Sequence, residues 1–240
     1  TSLAPFPRGL WHPTWIVFIS SACSMVLELV AGRIIAPFVG VSLYTWTTVI
    51  GVVLAGISLG NFTGGWLADR WASRRLLGLT FFLGGLACLS ILAVDLIGGR
   101  MPGDWPVMLQ ILALTAALFF LPSAILGGVS PVVAKLAVQD LARTGSTVGR
   151  IYAASAAGSI VGTFATGYML ISWFGTHAIV WGVAAVLVFM GLLFVLAGRA
   201  RVIAPIFILA AGVGLVLASN QGWLRGVCRL ETNYFCIKVN

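Results

Sequence analysis

Charged side chains are scarce in this sequence, and their scarcity excludes most soluble folds. Of the 240 residues only 8% are Asp, Glu, Lys or Arg, whereas a soluble globular domain carries about 25%. So little charge cannot cover a surface that faces water. The hydrophobic fraction is 60% and the mean hydropathy is +1.07. Together these values predict an all-α polytopic membrane protein, because long apolar runs dominate the chain.

The residues that usually build metal and catalytic sites are also few. Histidine occurs only at His12 and His177, and the four cysteines are divided between apolar segments and the C-terminal tail. No Cys/His spacing suits zinc, and no Ser-His-Asp or Cys-His set is evident. The glycines lie inside apolar runs, whereas a phosphate-binding turn follows a strand. We therefore expect no metal and no complete catalytic site within these residues.

Apolar runs account for most of the chain. As a helix, about 20 apolar residues suffice to cross ~30 Å of hydrocarbon. We expect an N-terminal tail over residues 1–13, a transmembrane domain over 14–219, and over 220–240 a linker that opens a soluble domain. The predicted spans cover residues 14–37, 45–68, 76–97, 106–133, 151–173, 178–197 and 202–219.

The positive charges indicate an orientation. The net charge is +8, but the cations lie in loops and form no basic stripe with exposed aromatics, so we expect no nucleic-acid partner. By the positive-inside rule, the loops that carry these cations face the cytoplasm. We therefore expect an integral protein of a bacterial inner membrane, with a cytoplasmic N-terminus. In the loop after the second span, Asp69, Arg70, Arg74 and Arg75 form either a gate at the cytoplasmic mouth or a topology anchor.

Glycines recur at helical spacing in the second predicted span. Gly56, Gly60 and Gly64 lie four residues apart, so they share one face of a helix. Small residues at this spacing let a neighbouring helix approach closely in lipid, where packing drives association. We expect this face to be a helix-packing surface.

The same glycine pattern occurs again in the fifth predicted span. The sequence G-x-x-x-G-x-F-x-x-G covers residues 56–65 and also 158–167, where Gly158 and Gly162 are the equivalent glycines. Each copy lies in the middle span of a set of three. Two equivalent sets of three helices must run in opposite senses across a membrane, which predicts the inverted repeat of transporter folds.

Two ionisable residues, Glu28 and Arg33, lie inside the first predicted span. Such residues usually face the interior of a helix bundle and mark a polar site. They are about 140° apart around a helix, so each is expected to find its partner on another helix. An interhelical tie, or for Arg33 a side chain that reaches the membrane surface, is the alternative. The substrate-binding candidates are Glu28, Arg33, Tyr44, Trp46, Asn61 and Tyr152, of which Tyr44 and Trp46 could instead belong to an interfacial aromatic belt.

The loop after the second span resembles the signature between helices two and three of the major facilitator superfamily. The matching residues are GGWLADR over 64–70, followed by Arg74 and Arg75, with Ala72 in place of the usual glycine. The resemblance implies a six-helix half of such a transporter, built as two inverted three-helix repeats. The seventh span would then be an added helix.

A longer resemblance, over most of residues 20–175, is to the membrane-fused spermidine synthase-like proteins. The segment ETNYFCIKV over 231–239 is similar to the opening strand of their soluble synthase domain. Within the membrane part, the matching residues are LEL and AGR over 27–33, APF-x-G-x-SLY-x-W over 36–46, LG and GG-x-LADR over 59–70, G-x-x-x-P over 127–131, and GRIY with GS-x-x-G over 149–162.

This resemblance implies a function for the chain as a membrane domain. In that family a Rossmann-like aminopropyltransferase domain follows, which uses decarboxylated S-adenosylmethionine and putrescine. Its glycine-rich acidic cofactor motif is absent here, so we expect no cofactor in this segment. The domain would anchor the soluble enzyme and bind or move a polyamine. The alternatives are a transporter half that works as a homo-oligomer, and a structural subunit of a larger membrane complex.

Overall fold

The computed structural model describes residues 12–98, 105–138 and 143–195, together with the short strands Leu230–Glu231 and Cys236–Ile237. Those two strands pair in antiparallel register, and the rest of the described chain is helical apart from short connections between the helices. The predicted seventh span, over residues 202–219, lies outside the described residues.

Nine α-helices make up the described bundle, with two π-helical turns and one 3-10 turn between them. The 3-10 turn is Ser90–Ala93, and the π turns are Ala116–Phe120 and Thr166–Leu170. The helices are α1 (Pro13–Val39), α2 (Leu43–Trp71), α3 (Arg74–Leu89), α4 (Val94–Gly98), α5 (Val107–Thr115), α6 (Leu121–Gly127), α7 (Val129–Ala137), α8 (Thr144–Ala165) and α9 (Ile171–Val195).

Five helical segments are long and apolar enough to cross a membrane, which confirms the expectation of membrane-length helices. They are Pro13–Val39, Leu43–Trp71, Arg74–Ala93, Val107–Ala137 and Thr144–Val195. Serine caps set two of the starts, since Ser42 accepts a hydrogen bond from the backbone N–H of Thr45 and Ser73 accepts one from that of Leu76. These caps satisfy amide groups that have no partner inside the helix.

The fifth segment turns back on itself at Gly175. Its 52 residues would extend ~78 Å as one helix, more than twice the thickness of the hydrocarbon core. Gly175 has φ 69° and ψ 163°, a conformation that interrupts the helix and that residues with a Cβ rarely adopt. Before this glycine the segment follows α1, and after it the segment packs against α3. The segment therefore provides two passes through the bundle.

The second segment packs against the fourth through direct contact of their backbones. A Cβ built on Gly56 would lie 2.8 Å from the carbonyl oxygen of Phe120, and one on Gly60 would clash with that of Ala124. Gly64 lies in the same way against Gly128. The residue numbers of the contact partners increase together on the two helical segments, so α2 runs parallel to α6 and α7.

The first segment packs against the fifth in the same manner. A Cβ on Gly158 would clash with the carbonyl oxygen of Phe18, and one on Gly162 would lie 2.6 Å from that of Ala22. Helices α1 and α8 therefore also run parallel. The two interfaces match residue by residue with a single displacement along the sequence: Phe18 corresponds to Phe120, Ala22 to Ala124, Gly56 to Gly158 and Gly60 to Gly162.

The third pair, α3 with the part of α9 after Gly175, runs antiparallel. Gly78 lies against Gly191, and Gly85 against Ala184 and Val188. Phe81 and Phe194 stack between them with ring centroids 6.1 Å apart. Buried aliphatic and aromatic side chains of all three pairs form one contiguous core.

One end of the bundle carries most of the described charges. Helices α2 and α7 end there, and α3, α8 and α1 begin there. The basic end, as we call it, comprises Asp69, Arg70, Arg74, Arg75, Lys135, Arg143 and Arg150.

Two glycines of α2 provide a matched test of the backbone contacts. Gly60→Ala places a methyl group against the backbone of Ala124, whereas Gly51→Ala places one in open space. Overpacking of this kind costs about 1–3 kcal/mol, so we expect the melting temperature of Gly60→Ala to fall by several degrees. The melting temperature of Gly51→Ala should stay level or rise. Thermal unfolding in detergent, followed by tryptophan fluorescence, measures both, and equal melting temperatures would contradict the packing described.

Candidate functional site

A cavity of about 520 Å³ lies between the α1·α8 pair and the pair formed by α2 with α6 and α7. This volume is typical of sites that hold small molecules. The cavity extends from the middle of α1 toward the basic end, since its α8 residues lie in the first half of that helix and its α7 residues approach Ala137. Its lining comprises Ser20, Ser21, Ser24, Met25, Glu28, Ile57, Asn61, Leu126, Gly127, Ser130, Pro131, Ala134, Val148, Ile151, Tyr152, Ser155 and Ser159.

The α1 wall presents a polar stripe. Ser20, Ser24 and Glu28 are four residues apart, so their side chains lie above one another on one helix face, about 6 Å apart along the axis. Ser21, beside this stripe, forms a hydrogen bond of 2.7 Å with Ser155 of α8. This bond joins the two helices within the wall of the cavity.

The other walls add hydrogen-bonding groups but no charge. Helix α8 contributes Tyr152 and Ser159 together with Ser155, and Tyr152 is exposed at the rim. Asn61 extends from α2, and Ser130 from α7. Hydroxyl and amide oxygens can accept hydrogen bonds from a ligand on every side of the cavity.

Glu28 is the single charged side chain among the described residues that line the cavity. It is half-buried, and within the described part of the chain no hydrogen bond or ion pair reaches its carboxylate. An ionisable side chain at this depth normally has a partner, because desolvation of a lone charge costs several kcal/mol. The carboxylate of Glu28 is therefore available to a positively charged ligand.

The matching interfaces give Glu28 an equivalent residue. The displacement that relates Phe18 to Phe120 and Ala22 to Ala124 relates Glu28 to Ser130, and both residues line the cavity. The same position in the α2·α7 pair thus accepts a serine without loss of the backbone contacts. The carboxylate is not needed for packing, so its presence calls for a different explanation.

The sequence-predicted binding residues fall into two groups. Glu28, Asn61 and Tyr152 all line the cavity. Arg33, Tyr44 and Trp46 lie toward the opposite end and do not line it, and the ring of Trp46 instead packs over Gly32 of α1.

The loop residues predicted to gate or to anchor lie at the basic end, outside the cavity lining. Lys135 Nζ donates a hydrogen bond of 2.7 Å to Asp69 Oδ1, linking the ends of α7 and α2. Arg70 lies over the ring of Trp66, 5.2 Å from its centroid, and Arg74 and Arg75 begin α3. Because the Asp69 side chain is 72% exposed, this ion pair stabilises the fold by less than about 1 kcal/mol.

The serines are the cavity residues that sequence analysis missed. Serine is common in membrane helices, where its hydroxyl often bonds to its own backbone, so a single serine indicates little. The four-residue spacing of Ser20, Ser24 and Glu28 was the pattern that could have revealed one wall.

No family model, curated protein or solved structure matches the chain. Function is therefore inferred from the cavity and from the helix pairs that form it.

A cysteine in the cavity tests its polarity. Ser24→Cys places a thiol one helical turn from Glu28, next to native Cys23, which is 8% exposed. In a background with Cys228 and Cys236 changed to serine, we expect a cationic methanethiosulfonate reagent to label the introduced thiol faster than an anionic reagent does. At a pH where Glu28 is ionised, Glu28→Gln should lower the ratio of the two labelling rates about tenfold, because one charge at this distance contributes about 1–2 kcal/mol. An unchanged ratio would show that Glu28 does not face the space beside Ser24.

Proposed function

We propose that the chain is an integral membrane domain that binds a polyamine-like cation in the Glu28 cavity. In this proposal it is the membrane part of a spermidine synthase-like aminopropyltransferase, for which it serves as an anchor. The observation that carries the proposal is a carboxylate that no described residue pairs with, in a hydroxyl-lined cavity. The cavity lies within a bundle whose helices are long enough to cross a membrane.

The chemistry of the cavity favours an ammonium group. A carboxylate that lacks a protein partner gains most from a ligand that brings both a positive charge and N–H donors. The cavity lining also includes six serine hydroxyls, whose oxygens can accept the remaining N–H groups of such a ligand. An anionic ligand would be repelled by Glu28, and an apolar one would leave these oxygens without hydrogen bonds.

The fold that we propose is a major-facilitator-like half made of two inverted three-helix repeats. Its support is the pairing of the helices. One repeat would consist of α1, α2 and α3, and the other of the α5–α7 segment, α8 and α9. A two-fold axis in the membrane plane that exchanges the two repeats would superimpose the α1·α8 pair on the α6·α2 pair. The same axis would superimpose the α3·α9 pair on itself. The equivalent glycines Gly56 and Gly158, like Gly60 and Gly162, make equivalent backbone contacts, as such an axis requires.

The orientation that we propose places the basic end in the cytoplasm of a bacterium, with the N-terminus on the same side and the protein in the inner membrane. It rests on the positive-inside rule and on the cations that end α7 and begin α3 and α8. Most of the cavity lining lies nearer this end, and Glu28 lies just past the middle of α1, so a cytoplasmic cation would reach Glu28 along the cavity. Decarboxylated S-adenosylmethionine would bind to the soluble enzyme domain. This assignment is supported only by the resemblance to the membrane-fused spermidine synthase-like proteins.

A transporter half that works as a homo-oligomer is the second candidate. The support comes from α2 and α8, the two helices that flank the cavity. Each of them buries residues along only one face and leaves its other faces exposed. Side chains such as Phe62 and Phe164 are exposed, by 75% and 56% respectively. In a dimer these two helices could meet a second copy and enclose a common pathway. Native mass measurement in lipid nanodiscs tests this candidate, and a purely monomeric protein would contradict it.

Binding of putrescine and spermidine to the purified 240-residue chain in nanodiscs tests the proposed function. Isothermal titration should detect binding by the wild type, and Glu28→Gln should weaken it by ten- to a hundredfold, because a charge-assisted hydrogen bond contributes about 1.5–3 kcal/mol. Asp69→Asn removes the same charge outside the cavity and should leave the affinity within about twofold. Absence of binding to the wild type, or equal losses in both variants, would overturn the proposal.

A further inference from the structure

The charges around Glu28 can be counted for each helix that lines its cavity. Helix α1 presents Glu28 itself, and α8 presents the Tyr152 phenol, while the described lining residues of α2, α6 and α7 are uncharged. Arg33 does not line the cavity. Beyond the rim, Lys135 is paired with Asp69. Among the described lining residues, no cation therefore balances a negative charge on Glu28.

An ion in hydrocarbon without a countercharge is costly. Insertion scales give about +2.5–3.5 kcal/mol for a charged side chain at the centre of a membrane helix. The carboxyl group of Glu28 avoids this cost in two ways, by keeping a proton or by pairing with a ligand cation. The cavity admits either, because Glu28 opens onto a space whose lining hydroxyls can both donate and accept hydrogen bonds.

We propose that Glu28 exchanges one proton for the ligand cation, so that each binding event releases one proton. This inference rests on the proposed function, since it requires that a cation enters the cavity. In the exchange the O–H bond of the Glu28 carboxylic acid breaks and its proton passes to water. The carboxylate then accepts a hydrogen bond from the ligand ammonium, no covalent bond forms, and nothing is oxidised or reduced.

The equivalence of Glu28 and Ser130 sets the stoichiometry. Because the second position carries a serine, the cavity holds one exchangeable carboxyl proton. A ligand with two ammonium groups therefore releases the same single proton as a ligand with one. For a singly charged ligand the charge of the site is then unchanged by binding.

Proton release can be measured with two amines of matched length. The full chain in nanodiscs is titrated with putrescine and with n-butylamine below about pH 9, where both amines are protonated. Calorimetry in buffers of different ionisation enthalpy counts the protons. We expect a maximum of one proton per bound amine for both ligands, and an affinity that rises up to tenfold per pH unit where Glu28 is protonated.

Two variants connect the released proton to its source. Glu28→Gln should bind weakly and release no proton. The double variant Glu28→Ser, Ser130→Glu moves the carboxyl group to the equivalent wall of the same cavity, and we expect it to restore proton release. Loss of release in Glu28→Gln together with its return in the double variant would be inconsistent with a purely structural role of Glu28.

The outcomes separate the two proposals. Amine binding without proton release, at affinities independent of pH, would overturn the exchange and leave the proposed function standing. Release of two protons by putrescine would also overturn it. If the folded wild-type chain bound neither amine, the proposed function itself would fall.

Discussion

Direct contact between helix backbones, made possible by glycine, is the constraint on which the rest of this structure depends. In lipid the hydrophobic effect does not drive helices together, so close packing must supply the stabilisation. Gly60 and Gly162 bring α2 and α8 against the carbonyl groups of Ala124 and Ala22. The two close pairs contact each other much less extensively than the helices within each pair do. The space that remains between them is the Glu28 cavity.

The two close pairs are alike in packing and different in chemistry. Their backbone contacts correspond residue by residue, yet one carries Glu28 where the other carries Ser130. The shared backbone contacts account for the pairing of the helices, and Glu28 is the position at which the two pairs differ in charge. A carboxyl group that packing does not require, and that no other described group neutralises, is the feature on which the proposed cation binding and the proposed proton exchange both rest.

Sequence patterns predicted the helices and their packing faces better than the cavity. Hydropathy alone places membrane-length helices close to their observed bounds, and the spacing of Gly56, Gly60 and Gly64 shows which face of α2 is buried. The cavity depends on which helices become neighbours, so the presence of Glu28 and Ser130 in one cavity lining could not be derived from local patterns. The Lys135–Asp69 pair was missed for the same reason. Arg33 looked equivalent to Glu28 in sequence, but the rotation between them directs it away from the cavity.

The most direct test of the account is whether Glu28 is a free carboxyl group in an accessible, weakly hydrated cavity. Dicyclohexylcarbodiimide modifies protonated carboxyl groups in such surroundings, and peptide mass spectrometry locates the adduct. We predict that Glu28 is modified in the folded chain, that Asp69 is not, and that putrescine slows the modification of Glu28 as it occupies the cavity. If Glu28 stayed unmodified, or reacted at the same rate with saturating putrescine present, the carboxyl group would not be a free ligand for cations.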